Sequence, residues 1–306
     1  LDEIMRVLPE SIRSHLVRLN ESDRDQLEEI RIRLFRPIEV ILNGRHLFLP
    51  YTATLDDGQV LMNEMSEFSI YTLEEELRRG YITISGGHRI GLAGKVITTG
   101  GRVKMIRDIT SFNIRVAKQK IGAAQPLIPY LYEGRWLNTL IIGPPQTGKT
   151  TLLRDIARTV STGDSEKESM KVGIVDERSE IAGSVNGIPQ HTFGNRLDVL
   201  DSCPKAEGMM MMIRSLSPDV LIADEIGSAE DCSAIMEAVH AGVQVMVSVH
   251  GFGAGDASKR PSIQPLFDNG VFERIVELSR KDGNRTMEIL NSQFASISGE
   301  ELIWSS

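Results

Sequence analysis

Residues 138–153 read NTLIIGPPQTGKTTLL. Asn138 to Ile142 has the pattern of a short strand, and Leu152, Leu153, Ile156, Ala157 and Val160 then recur at helical spacing. Between them, GPPQTGKTT satisfies G-x-x-x-x-G-K-[ST], with Gly143, Gly148, Lys149 and Thr150 at the required positions. Strand, loop and helix in that order is the setting in which this motif cradles nucleotide phosphates. Glycines let backbone N–H groups approach phosphate oxygens, and the helix N-terminus adds the positive end of its dipole. A lysine here neutralises β- and γ-phosphate charge, and the Thr150 hydroxyl ligates Mg²⁺. The stretch therefore predicts an ATP loop made of Gly143, Pro144, Pro145, Gln146, Thr147, Gly148, Lys149, Thr150 and Thr151. A glycine-rich turn ahead of an ordinary helix is the plain structural alternative, and the paired strand and helix weigh against it.

Such a loop needs an acid near its magnesium, at the end of a neighbouring buried strand. PDVLIADE (218–225), 75 residues beyond Lys149, supplies an uninterrupted apolar run from Val220 to Ala223 closed by Asp224 and Glu225. A parallel strand covered on both faces reads this way. Asp224 is placed to hold the metal through water, and Glu225 to polarise the attacking water or support the metal. VGIVDERSE (172–180) ends a further strand in Asp176, Glu177 and Glu180, where a glutamate just past a strand beside the loop is a candidate general base. Spacing alone leaves the base open among Asp176, Glu177, Glu180 and Glu225, and a solvated acidic loop is the bland reading of the first three. VQVMVSVHG (243–251) ends in Ser248 and His250, a hydroxyl and an imidazole able to sense a γ-phosphate or to serve only as hydrogen-bonded structural groups.

Between these strands, Cys232, Ile235, Met236 and Val239 mark an amphipathic helix, and Met209–Met212 sit in another opened by Pro204. Four consecutive methionines cannot share one face, so some must pack inward. FERIVELSRKDGNRTMEIL (272–290) reads as a hairpin turned at Asp282-Gly283.

Ahead of residue 119 the pattern changes. Ile12, Leu16 and Leu19 follow helical spacing behind Pro9. In IEVILNGRHLFLP (38–50), Asn43-Gly44 separates two apolar runs and predicts a hairpin, because the pair tolerates the two positive φ angles of a type I′ turn. Residues 59–79 predict a helix with Leu61, Met65, Phe68 and Leu73 among its apolar positions, and Tyr81 to Val116 predicts short strands broken at Gly86-Gly87 and Gly100-Gly101. GGHRIGLAG (86–94) lacks the G-x-G-x-x-G spacing of a dinucleotide fingerprint, so tight turns explain its glycines better. Residues 119–135, with Pro126, Pro129 and Gly134, predict a linker.

Bulk properties agree with a two-domain globular chain. Its 306 residues are 41% hydrophobic and 25% charged, which excludes wholesale disorder. No run approaches the roughly 20 apolar residues that span a bilayer, and the opening LDEIMRVLPE does not read as a signal peptide. Cys203 and Cys232, both in segments with a helical pattern, predict free thiols in a reducing cytoplasm. Residues 1–118 hold 17 basic and 17 acidic residues, so the remaining 17 basic and 25 acidic residues carry the whole net charge of −8. That balance counts against a non-specific nucleic-acid binder.

GPPQTGKTT, VDERSE, PDVLIADEIG and GVQVMVSVHG, in this order, resemble the Walker A, Asp-box, Walker B and His-box segments of the secretion ATPase superfamily, which includes type II, type IV and pilus-retraction motors. EIRIRLFRPIEVILNGR (29–45) resembles the module that precedes the motor domain in these ATPases, and GHRIGLAGKV and RDITSFNIRVAK resemble its sporulation branch. The resemblance implies that Glu180 is the Asp-box base, Glu225 the Walker B glutamate and His250 the second His-box histidine. Val243 stands at the first His-box position, and ADEIG replaces the usual Walker B ending. It further implies that arginines of the N-terminal module face the nucleotide, with Arg107 and Arg115 as candidates. A homo-hexameric motor is implied, in the mother-cell cytoplasm and peripheral to membrane-embedded sporulation channel proteins, with no membrane insertion of its own. The expected fold is α/β: a RecA-like P-loop ATPase domain with a mainly parallel sheet over 136–306, preceded by a smaller α+β domain over 1–118. The expected function is Mg-ATP-dependent powering of assembly of, or export through, a mother cell–forespore channel; the alternative is a RecA-like nucleic-acid-dependent ATPase.

Overall fold

Asn43 and Gly44 adopt φ angles of 46° and 77° and turn β2 (Pro37–Leu42) back into β3 (Arg45–Thr52). Two positive values in succession twist the chain in the sense that antiparallel strands need, so the hairpin forms where the sequence predicts it. The computed structural model describes residues 1–66, 76–281, 284–299 and 301–304, in two units, Leu1–Lys118 and Gln119–Ser306.

In the first unit, β1 (Leu27–Arg33), β2, β3, β4 (Tyr81–Ile84), β5 (His88–Thr99) and β6 (Arg102–Arg115) form an antiparallel sheet ordered β3-β2-β1-β6-β5-β4. Ile30 and Ile32, two residues apart and so on one sheet face, join Val40, Ile90 and Ile114 in a core closed by Ile4, Leu8, Ile12 and Leu16 of the N-terminal helices. The helix behind Pro9 spans Glu10–Leu16 and ends before Leu19. The helix expected at 59–79 starts earlier, at Leu55, and is described to Ser66, and residues 76–79 are helical as well. Phe68 and Leu73 lie outside the described residues. Gly86, Gly87, Gly100 and Gly101 all take positive φ at strand ends, as turns require.

The second unit holds β7 (Thr139–Gly143), β8 (Val172–Asp176), β9 (Leu197–Asp201), β10 (Val220–Ala223), β11 (Gln244–His250), β12 (Arg274–Lys281), β13 (Asn284–Asn291) and β14 (Leu302–Trp304) in the order β14-β13-β12-β7-β11-β10-β8-β9. Pairing is parallel from β12 through β9 and antiparallel at β13 and β14. The unit is α/β with a mixed sheet. Successive β7 residues face opposite cores: Ile141 packs with Leu152, Leu153 and Ile156 of the helix Lys149–Thr162, while Leu140 and Ile142 pack with Met209, Met212 and Ile235. Cover on both faces is why these strands read as unbroken apolar runs. Of the four methionines, Met209 and Met212 point inward and Met211 is exposed. The turn expected at Asp282-Gly283 lies outside the described residues, though β12 and β13 flank it in register.

Several expectations need correction. Residues 119–135 do not behave as a spacer: Ala124, Leu127, Ile128 and Leu131 are buried in the core of the second unit. Asp155, on the helix Lys149–Thr162, accepts hydrogen bonds from the N–H groups of Gly122 (3.1 Å) and Ala124 (2.8 Å). Pro129 is the second residue of a single helical turn, Ile128–Leu131, so the prolines here punctuate packed turns. Cys203 precedes the helix Lys205–Ser215 and is not part of one, whereas Cys232 lies within Ala229–His240; both thiols are free. Finally, neither β10 nor β8 adjoins the loop-bearing β7. β11 lies between β7 and β10, and β8 is one strand farther out.

Candidate nucleotide site

Because β11 pairs with β7, its register sets His250 opposite Gly143 at the mouth of the loop. Gly148 closes that loop with φ 100°, and Gln146 at its exposed tip also has a positive φ of 62°. A Cβ on Gly148 would lie 2.3 Å from the ring of Trp304, so this position excludes any side chain. Thr147 is buried and its hydroxyl donates to the carbonyl of Pro144 at 2.8 Å. Among the described residues, the N–H groups of Gln146, Thr147 and Gly148 have no backbone or side-chain acceptor. A loop of undirected donors ahead of a helix N-terminus is the donor set that phosphate oxygens satisfy.

Lys149 is buried, and its ammonium donates to the carbonyls of Gly143 (2.9 Å) and Pro144 (3.1 Å) and to Nδ1 of His250 (3.0 Å). Burial lowers its pKa from the ordinary lysine value, and Asp224, Glu225 and Glu180 oppose that shift through their charge. On the far side of the imidazole, Nε2 lies 2.7 Å from a carboxylate oxygen of Glu225. An ammonium on one ring nitrogen and a carboxylate on the other are both satisfied when Nε2 carries the proton and Nδ1 accepts. The second oxygen of Glu225 is paired with Arg178.

Asp224 faces the other way. One of its oxygens accepts from the Thr150 hydroxyl at 2.5 Å and the other from Ser248. Consecutive residues diverge like this because Glu225 occupies the left-handed region with φ 53°, where a non-glycine residue is strained and is held by its surroundings. Ser248 helps to hold it, accepting the Glu225 N–H at 3.0 Å. Fully buried, Ser248 orients the two acids and does not stand open to a phosphate. Thr150 and Asp224 present the oxygen donors that suit magnesium, which keeps several waters and takes few protein ligands. Among the described residues, no cluster of three or more His, Cys, Asp or Glu converges on a metal point.

The acids of 176–180 separate by partner. Asp176 is buried and accepts three backbone N–H bonds, from Glu180 (2.8 Å), Ile181 (3.0 Å) and Ala182 (2.8 Å). Burial nonetheless pushes its pKa up to about 6. Glu177 pairs with Lys205, which commits it elsewhere. Glu180 sits in the turn that Asp176 ties down, and Arg154 of the loop helix donates to the carbonyls of Glu180 (2.6 Å) and Ile181 (2.7 Å). The turn is thus clamped from both ends of its peptide groups.

The structure joins Lys149, His250 and Glu225 in one hydrogen-bonded set and Thr150 and Asp224 in another. Arg107 and Arg115 belong to the first unit, where they pair with Asp108 (3.2 Å) and Glu29 (3.5 Å). Sequence reading passes over Arg154 and Arg178; the available signal for Arg178 is a cation set among Asp176, Glu177 and Glu180.

Residues 1–294 match the family described as "Sporulation stage III, protein AA". The chain is 58% identical over 287 residues to "Stage III sporulation protein AA" of Bacillus subtilis (strain 168), covering 94% of each chain. Among solved structures it resembles the Legionella pneumophila ATPase DotB, with a TM-score of 0.61 and 17% identity over 89% of this chain and 78% of that one. It also resembles the pilus retraction motor PilT with bound ADP, with a TM-score of 0.60 and 17% identity over 94% of this chain and 82% of that one. At such identities these two likenesses speak to fold alone. The match over residues 1–294 and the 58% identity show that the chain belongs to the sporulation stage III protein AA family.

Proposed function

We propose that the chain is a Mg-ATP-hydrolysing motor with a RecA-like P-loop domain. The convergence of two linked sets on one loop carries this reading: Thr150–Asp224–Ser248, and Lys149–His250–Glu225. The loop N–H groups and Lys149 would bind the β- and γ-phosphates, replacing the carbonyls that Lys149 now serves. Thr150, with Asp224 through water, would hold Mg²⁺, which when bound offsets phosphate charge. Glu225 or Glu180 would orient the attacking water and take its proton, and His250 would couple Glu225 to Lys149. Phosphoryl transfer to water needs mainly positioning and charge stabilisation, and these are what the groups provide. Arg107 and Arg115 are candidates for a second-copy contribution in a ring.

Membership of the sporulation stage III protein AA family supports a role in sporulation; a homo-hexamer in the mother-cell cytoplasm, acting on membrane-embedded sporulation channel proteins, is proposed with it. No described helix is long and apolar enough to cross a membrane. The test is steady-state ATP hydrolysis by the purified chain, with and without Mg²⁺ and with and without single-stranded nucleic acid, using Lys149→Ala as the blank. Mg-dependent turnover above that blank and indifferent to nucleic acid is expected. Turnover equal to the blank in every condition would remove the enzyme reading, and strong stimulation by nucleic acid would favour the RecA-like alternative.

A further inference from the structure

The geometry points to Arg178 as the residue that reads the γ-phosphate within this chain, a role that rests on the ATPase reading above. Arg178 follows β8 in the turn that also carries Glu180, and its guanidinium pairs with Glu225. Glu225 shares its other oxygen with His250, and His250 in turn meets Lys149 at the loop. One carboxylate and one imidazole therefore separate Arg178 from the cation that meets the terminal phosphates. The side chain is 58% exposed, so most of it is already in water when it rotates about its own bonds. Arg178 is anchored at its backbone by a rigid turn. Asp176 receives the N–H groups of residues 180, 181 and 182, and Arg154 fixes the carbonyls of 180 and 181. A flexible cation on a rigid base beside the site is the arrangement that lets a guanidinium exchange one planar oxyanion partner for another.

The competing groups sort differently. Arg154 has its donors committed to backbone carbonyls, and Arg260 is engaged by the His250 carbonyl and by Asp256. Arg280 reaches the Gln146 carbonyl at the loop tip, on the outer rim. Of these four arginines, Arg178 combines an ion pair with an acid of the site and an exposed side chain. Transfer of its guanidinium from Glu225 to the γ-phosphate adds charge where it develops during phosphoryl transfer and releases one Glu225 oxygen for the attacking water. No covalent step is added: ATP and water still give ADP and phosphate, and the water proton passes to the acid.

The experiment compares affinity for Mg·ATPγS and Mg·ADP by calorimetry in wild type, Arg178→Ala and Arg178→Lys, with turnover measured alongside. Wild type is expected to prefer the triphosphate, and Arg178→Ala to lose that preference by about tenfold or more while binding Mg·ADP as wild type does. An arginine on the γ-phosphate contributes roughly 10³–10⁵ in rate, so Arg178→Ala turnover should fall within that range. Arg178→Lys should recover much of the triphosphate preference but little of the rate, since a point charge replaces a planar fork. If Arg178 only holds Glu225 in place, turnover falls while the affinity ratio stays at the wild-type value, and the proposal is overturned. A wild-type chain that binds neither nucleotide overturns the ATPase reading and this inference together; binding of both with an unchanged ratio in Arg178→Ala overturns this inference alone.

Discussion

The Nζ of Lys149 lies 3.0 Å from Nδ1 of His250, so the loop cation and the end of the adjacent strand form one hydrogen-bonded unit. The contact follows from the register that sets His250 opposite Gly143. It also makes the lysine the hub of the site, because the same ammonium caps the carbonyls of Gly143 and Pro144. Lys149→Ala is expected to abolish hydrolysis and to weaken Mg·ATP binding at least tenfold, or about 1.4 kcal/mol. A titration of nucleotide into the variant measures the second effect, and unchanged affinity would detach Lys149 from the phosphates.

Glu225 receives His250 on one oxygen and Arg178 on the other. Glu225→Gln keeps the shape and removes the charge. Turnover should fall by roughly 10²–10⁴, the range for loss of a positioned acid or base, while ATP remains bound. Single-turnover hydrolysis with radiolabelled ATP separates the two. Wild-type turnover in the variant would leave Glu180 as the remaining acid for the role.

Asp176 is a buried acid whose raised pKa shapes stability with pH. Its pKa is about 6 in the folded chain against 3.8 for a free side chain. Between those values the folded chain retains a proton that the unfolded chain has released. Unfolding free energy therefore falls as pH rises through that window. The displacement amounts to roughly 3 kcal/mol at about 1.4 kcal/mol per unit. Asp176→Asn has no such proton to lose, so urea unfolding at pH 4 and pH 7 should show the variant gaining on wild type by about that amount as pH rises. A constant difference between the two proteins would show that burial does not govern Asp176.

Gly148 meets Trp304 so closely that an added Cβ would sit 2.3 Å from the indole ring, and its φ is 100°. Gly148→Ala combines a strained backbone with overpacking and is expected to cost about 2–4 kcal/mol. Trp304→Ala in the same chain removes the clash but not the strain, so part of that loss should return in the double variant. Chemical denaturation of the four proteins of the cycle checks it. Simple additivity would mean that the strand Leu302–Trp304 does not press on the loop.

Much of this fold was legible in local sequence. The apolar runs of β7, β8 and β10, the helical spacing behind Gly148 and the turn at Asn43-Gly44 each announce an element by its own residues, because burial periodicity and turn chemistry are short-range properties. Five groups of the candidate site, Lys149, Thr150, Asp224, Glu225 and His250, were legible too, since each closes a recognisable strand or loop. The linker expected at 119–135 failed for the same reason that the others succeeded. Its prolines and glycine speak only of turns, whereas Asp155, more than 30 positions away in sequence, decides that those turns are packed.

What the sequence determined by itself is therefore the loop-bearing strand and its helix, the apolar strands β8, β10 and β11, and the burial of their side chains. Tertiary structure alone decided their neighbours. A helical crossover can return a parallel strand at different places in a sheet, and nothing within VQVMVSVHG records that β11 enters between β7 and β10. That insertion brings His250 to Lys149 and Ser248 to Asp224. It also leaves Glu225 facing the turn after β8, where Arg178 meets it. The Asp224 and Glu225 side chains part because one peptide unit is left-handed, a strain no local pattern requires and only the surrounding hydrogen bonds sustain.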